Sequence, residues 1–138
     1  MLHRIESSRL ALTVSTLGAE MQRLTSPEGL EYLCTPERSN WDGKAPVLFP
    51  ITGAVNGPTV INGQEYTFTQ HGFARNSEFT VTGKTDSRIA LQLSWNAETL
   101  VTYPFKFVFT VVYEIRDNLL NVTSIVKNED KRNMLYSV

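Results

Sequence analysis

Lys106-Phe-Val-Phe-Thr-Val-Val-Tyr-Glu-Ile115 decides the fold. Its period is two: Phe107, Phe109, Val111, Tyr113 and Ile115 fall on one side of an extended chain, because a strand sends alternate side chains to opposite faces. Val108 and Val112 make the other face apolar as well, so this strand is expected to be covered on both sides. Upstream, Arg88–Trp95 carries Ile89, Leu91, Leu93 and Trp95 on one side. Downstream, past a turn at Asp117-Asn118, Leu120, Val122 and Val126 keep the rhythm through Lys127. Asn128-Glu-Asp-Lys-Arg-Asn133 reads as a charged turn, after which Met134–Val138 is expected to restart as a strand. Strands separated by short polar turns predict an antiparallel meander.

The first half has shorter strands of the same kind. Leu2–Glu6 and Arg9–Val14 read as a hairpin about Ser7-Ser8, and Gly18–Leu24 and Leu30–Leu33 flank a turn at Ser26-Pro27-Glu28-Gly29. Thr59-Val-Ile-Asn-Gly-Gln-Glu-Tyr-Thr-Phe68 carries the sharpest local signal. Asn62-Gly63 supplies the two positive-φ positions that a type I′ turn requires, so Thr59–Ile61 should pair with Gln64–Tyr66. Helical spacing is nowhere sustained, and Ala97–Thr102 allows one turn at most. The expected fold is all-β, an antiparallel β-sandwich.

At 138 residues the chain fits one domain, spanning residues 1–138, with enough length to bury a core without disulfides. A charge of −1, from 13 basic and 14 acidic side chains, offers no basis for neutralising a nucleic-acid backbone. Cys34 is the single cysteine, so neither an internal disulfide nor a cysteine-rich zinc site can form. The N-terminus lacks the apolar core of a signal peptide, and no run approaches the about 20 apolar residues that span a bilayer. The expectation is a reduced, cytoplasmic protein with no membrane partner. Val138 closes an apolar stretch with no polar tail, which reads as the first part of a longer chain whose open sheet edge invites self-association.

Between Trp41 and Arg75 the alternation weakens, and prolines and glycines crowd together, as in loops that carry binding chemistry. His3 stands in an expected edge strand and reads as a solvated side chain. His71 lies in Gln70-His-Gly-Phe-Ala-Arg75, where the following glycine allows a sharp turn or a close approach to a ligand. Arg75 adds five fixed donors suited to hydroxyl or phosphate oxygens. The plainer alternative is a loop histidine bonded to backbone, with Arg75 paired to an acid such as Glu78.

Trp41-Asp-Gly-Lys-Ala-Pro-Val-Leu-Phe-Pro-Ile-Thr-Gly53, then Asn62-Gly-Gln-Glu-Tyr66, then Gln70–Arg75 resembles the aldose 1-epimerase (galactose mutarotase) superfamily, closest to its LacX-like branch. Thr99-Leu100, Tyr103-Pro-Phe105 and the closing Met134–Val138 fit the same order, so the resemblance covers nearly the whole chain as the N-terminal half of such a protein. It implies the N-terminal portion of a mutarotase-like supersandwich with a sugar site on its concave face, and no metal or organic cofactor. It also implies interconversion of α and β anomers of a hexose: a carboxylate takes the C1 hydroxyl proton while a histidine protonates the ring oxygen. His71 matches the first of the family's two active-site histidines and Arg75 the arginine that follows it. Gln70 would join them at the sugar. The second histidine and the catalytic glutamate would lie beyond Val138. Relatives often carry arginine where this sequence has Ala54, with Asn56 or another nearby side chain as its replacement in sugar binding. A sister reading is a hexose-6-phosphate epimerase that sets Arg75 against the phosphate. A third is a non-catalytic sugar-binding sandwich using Trp41, Tyr66, Phe68 and Phe73 as stacking surfaces.

Overall fold

The computed structural model describes residues 1–34 and 43–138. Trp41 and Asp42, which open the loop motif, lie outside the described residues. Three antiparallel sheets form: β1 (Leu2–Glu6), β2 (Ala11–Ser15) and β3 (Met21–Thr25); β4 (Thr59–Ile61) and β5 (Gln64–Tyr66); and β6 (Thr80–Lys84), β7 (Arg88–Ser94), β8 (Phe107–Arg116) and β9 (Leu119–Asn128), each sheet ordered as the chain runs. The one α-helix among the described residues, α1 (Ala97–Thr102), bridges β7 and β8. Asn96 caps it: its Oδ1 accepts the Thr99 amide at 2.8 Å, while Thr99 Oγ1 accepts the Asn96 amide at 2.9 Å.

The decisive stretch behaves as its period requires. Phe107, Phe109, Val111, Tyr113 and Ile115 are all buried, beside Ile89, Leu91 and Leu93 of β7, in one continuous core with Ile5, Leu12 and Val14 of the first sheet. On the opposite face of β8, Val112 is also buried and Val108 half-buried. The two sheets are tied at one end as well, where the Glu6 amide donates to Asp86 O at 2.6 Å and Ser7 Oγ to Asp117 O at 2.6 Å. The all-β sandwich expectation holds.

Asn62 and Gly63 take φ of 52° and 80°, and Thr59 pairs with Tyr66, Val60 with Glu65 and Ile61 with Gln64, the register expected of the two-residue turn. β9 keeps its rhythm without its burial, and one expectation, at the C-terminal end, needs correction. Val122 pairs with Tyr113 on the inner face, yet it is 52 % exposed. It lies on the outermost strand of its sheet, where it lines an apolar groove of about 390 Å³ with Val47, Val111 and Val138. Met134–Val138 is not a strand. The charged turn bends the chain away from β9, as Arg132 donates to Pro104 O, sits 5.1 Å above the Phe105 ring and bonds Asp130. That bond holds the Asp130 carboxyl well below the usual carboxylate range. The tail then runs back over the core, accepting the Tyr103 hydroxyl at Leu135 O (2.8 Å).

Tyr113 joins the layers chemically. Its hydroxyl, reached from β8, donates to Ala19 O at 2.7 Å in the turn before β3, and burial pushes its pKa up. Tyr113→Phe keeps the ring and strands a buried carbonyl, so it is expected to lower unfolding free energy by about 1–2 kcal/mol in urea denaturation. No loss would mean that the Ala19 carbonyl finds another donor.

Candidate functional site

The site begins at Phe49. Its ring is fully buried, stacked on Phe109 at 4.7 Å and edge-on to Phe73 at 6.2 Å and Tyr103 at 5.8 Å. Aromatic side chains of this size fix a loop because both their area and their edge-to-face contacts are lost together on displacement. With the ring held, the Phe49 carbonyl points at the second loop and accepts two amides, from Phe73 at 3.0 Å and Ala74 at 3.1 Å.

This approach requires Gly72. A Cβ there would stand 2.3 Å from Phe49 O and 2.7 Å from Pro50 Cδ, and φ is 69°. His71, just before it, also adopts a left-handed conformation, with φ of 66°. Histidine enters this region more readily than most residues, but at a cost that surrounding contacts must offset. Those contacts come from Gly53. The His71 amide donates to Gly53 O at 2.8 Å, and the Gly53 amide donates to His71 Nδ1 at 3.0 Å. Two reciprocal bonds therefore join one glycine to the backbone and ring of one histidine, leaving the imidazole half-buried.

Arg75 is the middle residue of a 3-10 turn, Ala74–Asn76, with its side chain exposed and Nη2 donating to Gln70 O at 3.2 Å. The loop thus brings Gln70, His71 and Arg75 together. Asn56 is exposed in the Pro50–Pro58 connection, three positions past Gly53, and no hydrogen bond among the described residues joins it to the other three. The plainer alternative is met in one respect, since His71 is bonded to backbone. It is not met in the other: Glu78 approaches the N-terminal amine at 3.9 Å, and among the described residues no carboxylate pairs with Arg75. Phe68 and Phe73 pack against the core and Tyr66 is half-buried, so these rings are partly used up as stacking surfaces. His3 sits half-buried in β1, away from this loop in sequence and sheet.

Sequence reasoning found the histidine and missed what holds it. The Gly53 amide is a backbone group, and Ser137 enters from the far end of the chain: its amide donates to Pro50 O at 2.9 Å, and its Oγ accepts the Thr52 amide at 2.7 Å. A glycine closing Phe49-Pro-Ile-Thr-Gly53 was the one readable sign of the first. Groove size does not mark the site. A groove of about 730 Å³ lies among Arg9, Glu28, Tyr32 and Asn118, and does not include His71. Among the described residues no three His, Cys, Asp or Glu side chains gather as a metal would need, and no helix is long and apolar enough to cross a membrane.

The antiparallel sandwich is of the mutarotase-like class. The chain is a member of the aldose 1-epimerase family, whose model matches residues 1–138. It is 30% identical over 145 residues to the plasmid-borne protein LacX of Lactococcus lactis subsp. lactis, covering 100% of this chain and 48% of that protein. It also superimposes on a galactose mutarotase related enzyme from Lactobacillus acidophilus with a TM-score of 0.93 at 37% identity, covering 99% of this chain and 46% of the other. A galactose mutarotase-like protein from Lactobacillus casei gives 0.91 at 34% identity, with 97% and 46% covered. The chain spans about half the length of the curated relatives it matches.

Gly72→Ala combines a left-handed backbone with overlap against Phe49, so it is expected to cost roughly 2–4 kcal/mol in chemical denaturation. A cost below about 1 kcal/mol would show that the two loops are not in contact through this glycine.

Proposed function

We propose that this chain contributes to an aldose 1-epimerase that interconverts the α and β anomers of a hexose. The observation that carries the reading is membership of the family over residues 1–138, with His71 presented on a clamped, half-buried loop. In the proposed reaction a carboxylate takes the proton of the C1 hydroxyl, C1 becomes a carbonyl, and the C1–O5 bond breaks. O5 receives the electron pair and a proton, C1 rotates, and reclosure on the other face gives the other anomer. His71 is proposed to act at a sugar oxygen during this sequence. Gln70, Arg75 and Asn56 are proposed to hold hydroxyls around the ring. The substrate is a small-molecule sugar, the chemistry needs no metal or organic cofactor, and the proposed location is the cytoplasm.

One observation favours a phosphorylated sugar as a second reading. Arg75 is exposed, bonded to a backbone carbonyl and unpaired with any carboxylate among the described residues, so its guanidinium keeps donors for a phosphate. Association is proposed through the outer edge of β9, where Leu119 and Ile125 are exposed. A concentration-independent monomer in sedimentation would remove that part.

Polarimetry of freshly dissolved α-glucose, α-galactose and glucose 6-phosphate tests the reading in the intact protein. His71→Asn tolerates the left-handed backbone and is expected to lower kcat by about 10²-fold or more. An unchanged rate would make His71 structural. A preference for the phosphate ester that disappears in Arg75→Ala would select the second reading.

A further inference from the structure

The bond from Gly53 to the His71 ring fixes more than position. A backbone amide can only donate, so Nδ1 must offer its lone pair at 3.0 Å, and the proton of the neutral ring resides on Nε2. Nδ1 cannot take up a proton while that bond stands. The ring is held to this state from several directions. The His71 amide returns a bond to Gly53 O, which holds the two backbones at the spacing that keeps the ring within reach of the Gly53 amide. Gly53 itself sits at φ of 92°, in the left-handed region that favours glycine. One residue earlier, the Thr52 amide is bonded to Ser137 Oγ, and Ser137 is anchored in turn by its own amide on Pro50 O.

We propose that Gly53 and Ser137 are positioning residues that lock His71 as the neutral Nε2–H tautomer, so that His71 serves the sugar as a hydrogen-bond donor and does not itself transfer a proton. Full transfer from Nε2 would leave an imidazolate, because Nδ1 holds no proton to keep the ring neutral. A neutral imidazole donor can still stabilise charge growing on an oxygen, as its proton stays on nitrogen while the bond shortens. In the ring-opening step, the electron pair of the breaking C1–O5 bond goes to an oxygen that His71 polarises. The proton that oxygen finally carries comes from water or from another acid of the site. This use of the donor rests on the sugar-epimerase reading; the tautomer and its clamp do not.

The experiment is long-range 1H–15N and 15N–15N NMR on the intact 15N-labelled protein at mildly alkaline pH, with the ring signals lost in His71→Asn assigned to His71. The expected result is a protonated Nε2, an unprotonated Nδ1, and a through-bond coupling between the Gly53 amide nitrogen and His71 Nδ1. A proton on Nδ1, or no coupling to Gly53 in the wild type, overturns the proposal. Ser137→Ala is expected to weaken that coupling and lower kcat about tenfold with KM little changed, and Ser137→Thr to restore both. An undiminished coupling and rate in Ser137→Ala would remove Ser137 from the clamp. If the wild type shows the coupling but mutarotates no sugar, the tautomer lock is supported and the sugar reading is the part overturned.

Discussion

The structure depends on Phe49 serving two neighbours at once. Its ring belongs to the aromatic core, against Phe107 and Phe109 of β8, while its carbonyl belongs to the loop that carries His71. The first is an apolar, weakly directional attachment, worth a few kcal/mol for a buried aromatic side chain. The second is directional and short-ranged. A hydrogen bond is useful for aiming a loop only if its acceptor stays still, and burial of the ring keeps the Phe49 acceptor still. Removing the ring would therefore misplace the His71 loop even though no side chain of that loop were altered.

From this anchor the site is assembled by backbone groups. Phe49 O, Gly53 N and O, Pro50 O and the amides of Thr52, His71, Phe73, Ala74 and Ser137 make the bonds that join the segments around residues 49–53, 71–74 and 137. Backbone hydrogen bonds depend on where the chain runs, and they set side-chain identity only where sterics forbid a Cβ or favour positive φ. Gly72 is the first case and Gly53 the second. His71 is a third kind, a residue with a side chain held in a left-handed conformation by bonds to both its amide and its ring. Such strain persists when neighbouring contacts over-determine it.

How much of this was legible in the sequence follows from which interactions are periodic. The alternation of β7 and β8 reports burial directly, because every second side chain meets the same core, and Asn62-Gly63 reports its own turn through its φ preferences. β9 was read in the right place, but its alternation did not report the exposure of Val122, since period two identifies a face and cannot tell a central strand from an outer one. Met134–Val138 has the composition of a strand, yet Arg132, Tyr103 and the Pro50 loop draw it out of the sheet by contacts distant in sequence. His71 and Arg75 were visible as residue types after a hairpin. The hydroxyl of Ser137 was not, because a lone serine leaves no compositional mark, and the Gly53 amide showed only through the glycine that ends Phe49–Gly53.

A backbone-built clamp also divides the work of the loop. The groups that fix His71 lie on one side of it, toward Phe49 and the tail, whereas Ala54, Asn56, Gln70 and Arg75 are exposed and take little part in holding the loops together. Arg75 is the partial exception, through its bond to Gln70 O, and that acceptor is again backbone. Substitution at these four positions would leave the bonds between Gly53 and His71 in place. A TM-score of 0.93 at 37% identity is what such an arrangement permits, because chain path can be retained while exposed side chains are exchanged. Ala54 then need not signal a damaged site. It lies next to Gly53 with its side chain exposed, while the amide that bonds His71 belongs to its neighbour.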